Sequence, residues 1–292
     1  MKKFKGIFPA LVTPFDEKGN IAPESVEKLV EHCLEKGVRG FYVGGSTGES
    51  YLLSAKERRY MLELVIKTVR GRADVIANIG VFSTDQGIEL AKHAESLGVS
   101  AVSSVPPFYF PFTMEEYIRY YNDLADAVNV PVIIYNIPAM SGITFNTEDI
   151  ERFFSNDKII GMKHTSYDLF QLERILKKYP EKSIFCGHDE LFLSASVIGV
   201  QAGIGSTFNI MPDKFVKMQK LISENRWEDA RKIQDDVNEV IEALTKVGVF
   251  KGVKAALKLQ GIDCGECRRP FAPLDKEQIK YLQDILEKNN CL

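Results

Sequence analysis

The sequence predicts an α/β fold in which eight strand–helix units close into a barrel, followed by a C-terminal helical extension. Short apolar segments alternate with longer amphipathic ones, and this alternation is typical of parallel sheets covered by helices. Eight such units end near residue 224, which is about the length that a closed (β/α)8 barrel needs. A doubly wound sheet fits less well, because no GxGxxG opens the first strand–helix turn.

The predicted strands are short, and several are almost entirely apolar, such as the segments VIIY and IIGM. Continuous apolar runs are expected of parallel strands that are buried on both faces. In chain order the eight predicted strands are residues 6–13, 40–43, 74–79, 101–105, 131–136, 159–163, 183–186 and 202–205.

The intervening helices are predicted by apolar residues at three- and four-residue spacing and by the signals at their ends. Ser54 with Glu57, and Thr113 with Glu116, have the spacing of a capping box. Asp168 is expected to begin the helix that follows the sixth strand.

The last part of the chain is predicted to be helical throughout, with helices at residues 227–247, 251–259 and 276–288. No Pro/Gly/Ser-rich linker separates it from the preceding units. We therefore predict a (β/α)8 TIM barrel over residues 1–224 and a helical extension over residues 225–292 that packs on it.

The composition excludes some classes of function. The 292 residues carry a formal net charge of −3, which argues against a general nucleic-acid-binding protein. We expect no membrane span, because no run of 18 apolar residues occurs. The apolar N-terminal stretch is short, is broken by Pro9 and Pro14, and lacks a signal-peptide cleavage site.

The five cysteines predict a reducing compartment, because an odd and sparse set does not suit a disulfide scaffold. Cys264 and Cys267 form a single CxxC without a second pair or a nearby histidine. We therefore expect no metal site there, since zinc needs four ligands.

Polar side chains follow five of the predicted strands at the end where barrel enzymes carry their active sites. The second, fifth, sixth, seventh and eighth strands lead into GGSTGE, YN, KHT, GHDE and GST. These strand ends meet at one mouth of a barrel, so the sequence predicts a single site built from them.

Lys163 is the candidate nucleophile of this site. It ends the apolar strand IIGMK, where burial disfavours the charged ammonium form. A neutral amine attacks a ketone to form an imine, which accepts electrons when the adjacent carbon–carbon bond breaks. Tyr135 ends the neighbouring strand, and its phenol can transfer protons. The alternative interpretations are a lysine whose amine reaches solvent and a tyrosine of the core.

The GGSTGE segment is a candidate anion site. It lacks the lysine of a phosphate-binding P-loop, but its glycines expose backbone N–H groups, and Ser46 and Thr47 add hydroxyl donors. A tight turn with incidental hydroxyls is the alternative. Asp189 and Glu190 suit a polyol better than a metal ion, because further ligands at suitable spacing are absent.

Six motifs occur in a fixed order, namely YVGGSTGE, PPFYFPF, VIIYNIPAMSG, GMKHTS, GHDE and GIGSTFNIM. Through them the chain resembles, over essentially its whole length, the pyruvate-dependent class I aldolases of the N-acetylneuraminate lyase and dihydrodipicolinate synthase group. The resemblance implies a carbon–carbon lyase that reversibly cleaves N-acetylneuraminate, a sialic acid, to N-acetylmannosamine and pyruvate. It also implies a homotetramer. From the cysteines we expect a cytoplasmic protein, and we expect neither a cofactor nor a metal.

The resemblance implies roles for individual residues. Lys163 matches the imine-forming lysine, and Tyr135 matches the tyrosine that shuttles protons. The substrate-binding positions are matched by Ser46, Thr47, Thr165, Gly187, Asp189, Glu190 and Ser206. The first two match the pair that holds the carboxylate, the third lies near the C4 hydroxyl, and the last four bind the polyol tail. Tyr109 lies in the loop that relatives offer to a neighbouring subunit.

The chain departs from the family pattern at two positions. Met140 stands where the dihydrodipicolinate synthases carry an arginine for the carboxylate of a semialdehyde, and the missing charge disfavours that substrate. Phe110 stands where many relatives have a second tyrosine. Three alternatives remain open, namely an aldolase for another 2-keto-3-deoxy sugar acid, a dihydrodipicolinate synthase, and a non-catalytic sensor of sialic acid or pyruvate.

Overall fold

A computed structural model describes residues 3–292 and contains one sheet of eight parallel strands. The strands are β1 (Gly6–Pro9), β2 (Gly40–Val43), β3 (Asp74–Asn78), β4 (Ala101–Ser104), β5 (Val132–Asn136), β6 (Ile159–His164), β7 (Ser183–Cys186) and β8 (Ala202–Gly205). Each strand pairs with the next in sequence from β2 to β8, and β1 pairs with β8. The sheet closes where the Leu11 amide donates to the Tyr42 carbonyl at 3.0 Å. The predicted barrel is confirmed.

All eight predicted strands are present, and they differ from the prediction only at their ends. The largest difference is at β1, which was expected to continue to residue 13 but ends at Pro9. Beyond it the backbone and side chains bond to loops instead of to a strand. The Val12 amide donates to Asn209 Oδ1 at 3.3 Å, and the Thr13 hydroxyl donates to the Gly48 carbonyl at 2.7 Å.

The described residues contain twelve α-helices, most of which follow the strands and cover the outside of the barrel. They are α1 (Pro23–Glu35), α2 (Ala55–Val69), α3 (Thr84–Ser96), α4 (Met114–Ala127), α5 (Pro138–Ser141), α6 (Thr147–Phe154), α7 (Leu169–Lys178), α8 (Phe192–Val197), α9 (Pro212–Ser223), α10 (Trp227–Val247), α11 (Val249–Leu259) and α12 (Lys276–Lys288). Both predicted capping boxes form. Asp168 caps α7 by accepting a hydrogen bond from the Gln171 amide at 2.8 Å.

The barrel interior is filled by side chains, as expected of this architecture. Phe4, Phe8 and Phe185 form edge-to-face or tilted ring contacts inside it, with centroids 5.6 to 6.0 Å apart. The Tyr42 and Tyr135 rings also meet at nearly a right angle, with centroids 5.9 Å apart. Because these rings fill the interior, no space for a ligand is left inside the barrel.

The C-terminal helices pack on the barrel through apolar side chains. Val237, Val240 and Leu244 of α10 belong to the same buried cluster as the outer face of the strands. Helix α10 packs along α9, and α11 and α12 each pack against α10. No helix among residues 3–292 combines the length and apolar character needed to cross a bilayer.

Candidate active site

The carboxyl ends of the strands surround a cavity of about 290 Å³. Nine predicted site residues line it, namely Ser46, Thr47, Tyr135, Lys163, Thr165, Gly187, Asp189, Glu190 and Ser206. The structure therefore brings together residues that lie far apart in sequence. A larger cavity of about 800 Å³ lies between segments 15–25 and 258–269 and contains none of these nine residues.

Lys163 and Tyr135 face each other at the base of this cavity. Strands β5 and β6 are in parallel register with these two residues opposite one another. Only 5% of Lys163 is exposed, and its Nζ lies 4.0 Å from the centre of the Tyr135 ring and 4.9 Å from that of Tyr42. The amine is thus held against two aromatic rings, next to a phenol that can exchange protons with it.

The loop after β2 carries Ser46 and Thr47 into the cavity. Thr47 Oγ1 lies 2.7 Å from Ser206 Oγ, which links this loop to the one after β8. The turn requires glycine at Gly44, whose φ of 74° lies in the left-handed region. The Asn78 side chain fixes the turn by donating to the Gly44 carbonyl at 2.7 Å.

Glu49 anchors the same loop to the C-terminal helices. Its Oε1 lies 2.7 Å from Lys254 Nζ on α11, and 0% of the Glu49 side chain and 2% of the Lys254 side chain are exposed. Its Oε2 accepts a hydrogen bond from the Arg268 amide at 2.7 Å. The lysine ammonium also lies 4.2 Å from the centre of the Phe15 ring. The helical extension therefore holds the segment that presents the hydroxyl pair. Neither Glu49 nor Lys254 was expected from the sequence to have a role in the site.

Asp189 and Thr165 each contribute a buried polar atom without a partner among the described residues. Asp189 Oδ2 accepts hydrogen bonds from the Thr207 amide at 2.8 Å and the Thr207 hydroxyl at 2.7 Å, whereas its Oδ1 is unpaired. Thr165 Oγ1 is unpaired as well. Burial raises the pKa of Asp189 to about 6, and the hydrogen bonds from Thr207 oppose that rise. Unpaired buried polar atoms in a cavity are available to a ligand.

Two glycines are needed because the site is crowded. A Cβ on Gly187 would stand 1.9 Å from Thr165 Oγ1, and one on Gly205 would stand 1.9 Å from Asp189 Oδ1. Either methyl group would occupy the position of a polar atom that faces the cavity.

Glu190 lies in a small polar cluster with Tyr167 and His188. Its Oε1 accepts a hydrogen bond from the Tyr167 hydroxyl at 3.0 Å and lies 3.0 Å from His188 Nδ1. The Tyr167 and His188 rings stack with centroids 4.2 Å apart. Burial acts to raise the pKa of Glu190, but the hydrogen bonds from His188, from the Glu190 backbone amide and from Tyr167 outweigh it and the pKa is lowered. No role for either ring was expected from the sequence.

The sequence matches the dihydrodipicolinate synthetase family over residues 3–289. It is 38% identical over 288 residues to N-acetylneuraminate lyase 2 of Escherichia coli, and the match covers 98% of this chain and 94% of that one. The chain belongs to the dihydrodipicolinate synthetase family.

Solved structures of similar proteins extend this result. A Clostridium difficile protein, CdNal, in complex with mannosamine has a TM-score of 0.96 and 35% identity, covering 99% of this chain and 100% of that chain. The N-acetylneuraminate lyase of Fusobacterium nucleatum in complex with pyruvate has a TM-score of 0.93 and 35% identity, and the match covers 97% of this chain and 96% of that chain.

Met140 is the position at which this family member lacks the arginine expected of a dihydrodipicolinate synthase. The side chain is 59% exposed and lines the cavity next to Ile137. Val249 and Phe250 from the C-terminal helices complete this wall. The wall is therefore apolar and supplies no positive charge to a second carboxylate.

Tyr109 is the one predicted site residue that does not line the cavity. It is 74% exposed, and its ring contacts Phe110 with centroids 5.0 Å apart and Phe82 at 6.1 Å. Phe82 and Phe110 are also exposed, at 47% and 58%. This aromatic surface includes the loop for which the sequence predicts a subunit contact.

Proposed function

We propose that the protein is a Schiff-base aldolase that reversibly cleaves N-acetylneuraminate to N-acetylmannosamine and pyruvate, with Lys163 as nucleophile. The observation that carries the proposal is the buried Lys163 amine against the Tyr135 ring, beneath a cavity lined by hydroxyl and carboxylate groups. Relatives named N-acetylneuraminate lyase, and structures in complex with mannosamine and with pyruvate, support it.

The first chemical step forms the imine. The open-chain keto acid places its carboxylate at the hydroxyls of Ser46 and Thr47, and Lys163 Nζ attacks its C2 carbonyl. Tyr135 transfers the protons that convert the carbinolamine to a protonated imine with loss of one water. The Tyr135 and Tyr42 rings hold the Lys163 amine in place at the end of its strand, so little side-chain freedom is lost when it attacks.

The second step breaks the bond between C3 and C4. Tyr135, assisted by the substrate carboxylate, accepts the proton of the C4 hydroxyl, and the electron pair of the bond moves into the imine. N-Acetylmannosamine leaves and an enamine remains on Lys163. Protonation of the enamine at C3 and addition of one water then release pyruvate and restore the free amine.

The remaining polar groups hold the sugar. Asp189 Oδ1 and Thr165 Oγ1 have no partner among the described residues, so substrate hydroxyls can supply their hydrogen bonds. Glu190 and Gly187 extend this surface along the cavity. Carboxylates that accept several hydroxyl groups favour a neutral polyol over a second anionic group.

Borohydride trapping tests the nucleophile. Incubation with pyruvate and borohydride should add the mass of a reduced pyruvyl group at Lys163, and Lys163→Ala should neither trap pyruvate nor release it from N-acetylneuraminate. Lys158→Ala, just before the opposite end of the same strand, is the matched control and should do both. Normal trapping by Lys163→Ala would refute the mechanism.

The choice of aldehyde is tested separately. Condensation of pyruvate with N-acetylmannosamine should exceed condensation with aspartate semialdehyde, because Met140 leaves the semialdehyde carboxylate without a cation. Faster condensation with the semialdehyde would instead identify a dihydrodipicolinate synthase.

We also propose that the protein works as a homotetramer in the cytoplasm. Its five cysteines are all free thiols, as suits a reducing compartment. The exposed rings of Phe82, Tyr109 and Phe110 form a surface that association would cover. Light scattering at micromolar concentration should give the mass of four chains, and a monomeric mass would refute the assembly.

A further inference from the structure

Two aromatic rings at the rim of the cavity converge on one oxygen of Glu190. The Tyr167 hydroxyl donates to Oε1 at 3.0 Å, and His188 Nδ1 lies 3.0 Å from the same atom. The lowered pKa of Glu190 indicates an ionised carboxylate, which can only accept hydrogen bonds. His188 Nδ1 must therefore carry a proton and donate it.

The second oxygen of Glu190, Oε2, can accept a hydrogen bond from a ligand in addition to the contact that the Glu190 backbone amide makes with the carboxylate. No other described side chain hydrogen bonds to Oε2 of this residue, which lines the cavity. The backbone is fixed as well, because Asn238 on α10 donates to the Glu190 carbonyl at 3.4 Å. A flexible glutamate side chain loses rotamer freedom when it binds a ligand, and a carboxylate already held in place loses less.

The stack of the two rings favours a positioning role over a role in folding. Tyr167 is 69% exposed, so its hydroxyl does not need Glu190 to satisfy a buried group. The rings nevertheless lie nearly parallel, at 22°, with centroids 4.2 Å apart. This arrangement fixes the direction from which both donors reach the carboxylate.

We propose that Tyr167 and His188 are positioning residues that hold Glu190 as an acceptor for a hydroxyl on the outer part of the sugar acid, and so set the preference for long substrates. This inference rests on the proposed function, because it concerns the tail of the same substrate. A tail that ended in a carboxylate would be repelled by Glu190 and by the neighbouring Asp189. The cluster thus selects a neutral, hydroxyl-bearing tail.

The test compares substrate binding at the two ends of the cavity. Tyr167→Phe keeps the ring stack and removes one donor, and His188→Phe keeps the stack and removes the other. Each should raise KM for N-acetylneuraminate about five- to tenfold, the size expected for one ordinary hydrogen bond. The value of kcat should stay within about twofold. The pyruvate concentration for half-maximal borohydride trapping should not change, because pyruvate has no tail.

A double variant shows whether the rings act through Glu190. In a Glu190→Gln background, Tyr167→Phe should have little further effect on KM, because interacting residues are not additive. The matched controls are Tyr60→Phe, on the exposed face of α2, and His93→Gln, which breaks a His–Glu pair at 2.8 Å outside the cavity. Both controls should leave KM unchanged.

The outcomes separate this inference from the proposed function. An equal weakening of pyruvate trapping, or full additivity with Glu190→Gln, would overturn the positioning role while the lyase activity stands. If the wild-type protein releases no pyruvate from N-acetylneuraminate, the proposed function is wrong and the inference fails with it.

Discussion

Replacement of Asp189 by asparagine should make the ligand-free protein more stable at neutral pH. Burial raises the pKa of this carboxyl from 3.8 to about 6. The difference corresponds to about 3 kcal/mol of unfolding free energy, at about 1.4 kcal/mol per pH unit. Asparagine can keep the present contacts, because its amide oxygen can accept from both Thr207 donors in place of Oδ2.

The pH dependence follows from the sign of the shift. The folded protein binds the Asp189 proton more tightly than the unfolded chain, so the contribution of Asp189 to the unfolding free energy falls as pH rises from 3.8 through about 6. Above about pH 6 the whole of this contribution is lost. Asp189→Asn should therefore match the wild type at about pH 4 and exceed it by up to about 3 kcal/mol at about pH 8.

Urea unfolding at a series of pH values measures this difference. Protein concentration must be constant, because association changes apparent stability. Asp126→Asn, an exposed site on α4, is the control and should change the unfolding free energy by no more than about 0.5 kcal/mol. Activity of Asp189→Asn should fall, because the ionised Asp189 carboxylate that destabilises the ligand-free protein also accepts hydrogen bonds from the substrate hydroxyls. A stability difference of the same size at both ends of the pH series would refute the reasoning.

Three further changes have defined outcomes. Gly187→Ala places a methyl group 1.9 Å from Thr165 Oγ1, so kcat/KM should fall at least about tenfold in the pyruvate-release assay. Lys254→Met leaves the Glu49 carboxylate buried without its counter-charge. This substitution should lower the unfolding free energy measured in urea by about 3–5 kcal/mol. Adding Glu49→Gln to Lys254→Met should restore part of that free energy. Burial lowers the pKa of His164 from 6.5 to about 4, so the contribution of His164 to the unfolding free energy is retained above pH 6.5 and falls as pH drops through this window. His164→Gln should remove that acid-side loss, about 3 kcal/mol, in the same titration.

The sequence predicts the parts of the site that depend on local pattern. A continuous apolar run marks a strand buried on both faces, and the polar residue that ends it must lie at the barrel mouth. For that reason the pattern alone places Lys163 and Tyr135 side by side, and their register on β5 and β6 confirms the placement. Their roles in the reaction remain a proposal.

Contacts between distant segments could not be predicted in this way. Lys254 lies in the segment VKAALKL, where its spacing does not distinguish it from a solvated helix lysine, yet it is buried against Glu49. Tyr167 lies four residues after the candidate nucleophile on an exposed loop. Its relation to Glu190 depends on how two loops meet. The early end of β1 likewise depends on Asn209, from the opposite end of the barrel sequence.

The anchoring of Glu49 by the C-terminal helices has a consequence for biosynthesis. Arg268 follows Glu49 by 219 positions, so the loop leaves the ribosome long before its counter-charge and its amide partner are made. A carboxylate cannot be buried alone without a large free-energy penalty, and chains begin to fold from the N-terminus during synthesis. The loop that holds Ser46 and Thr47 is thus completed only when α11 docks. The nascent barrel therefore lacks a completed hydroxyl-bearing loop until residues 254–268 have been synthesised.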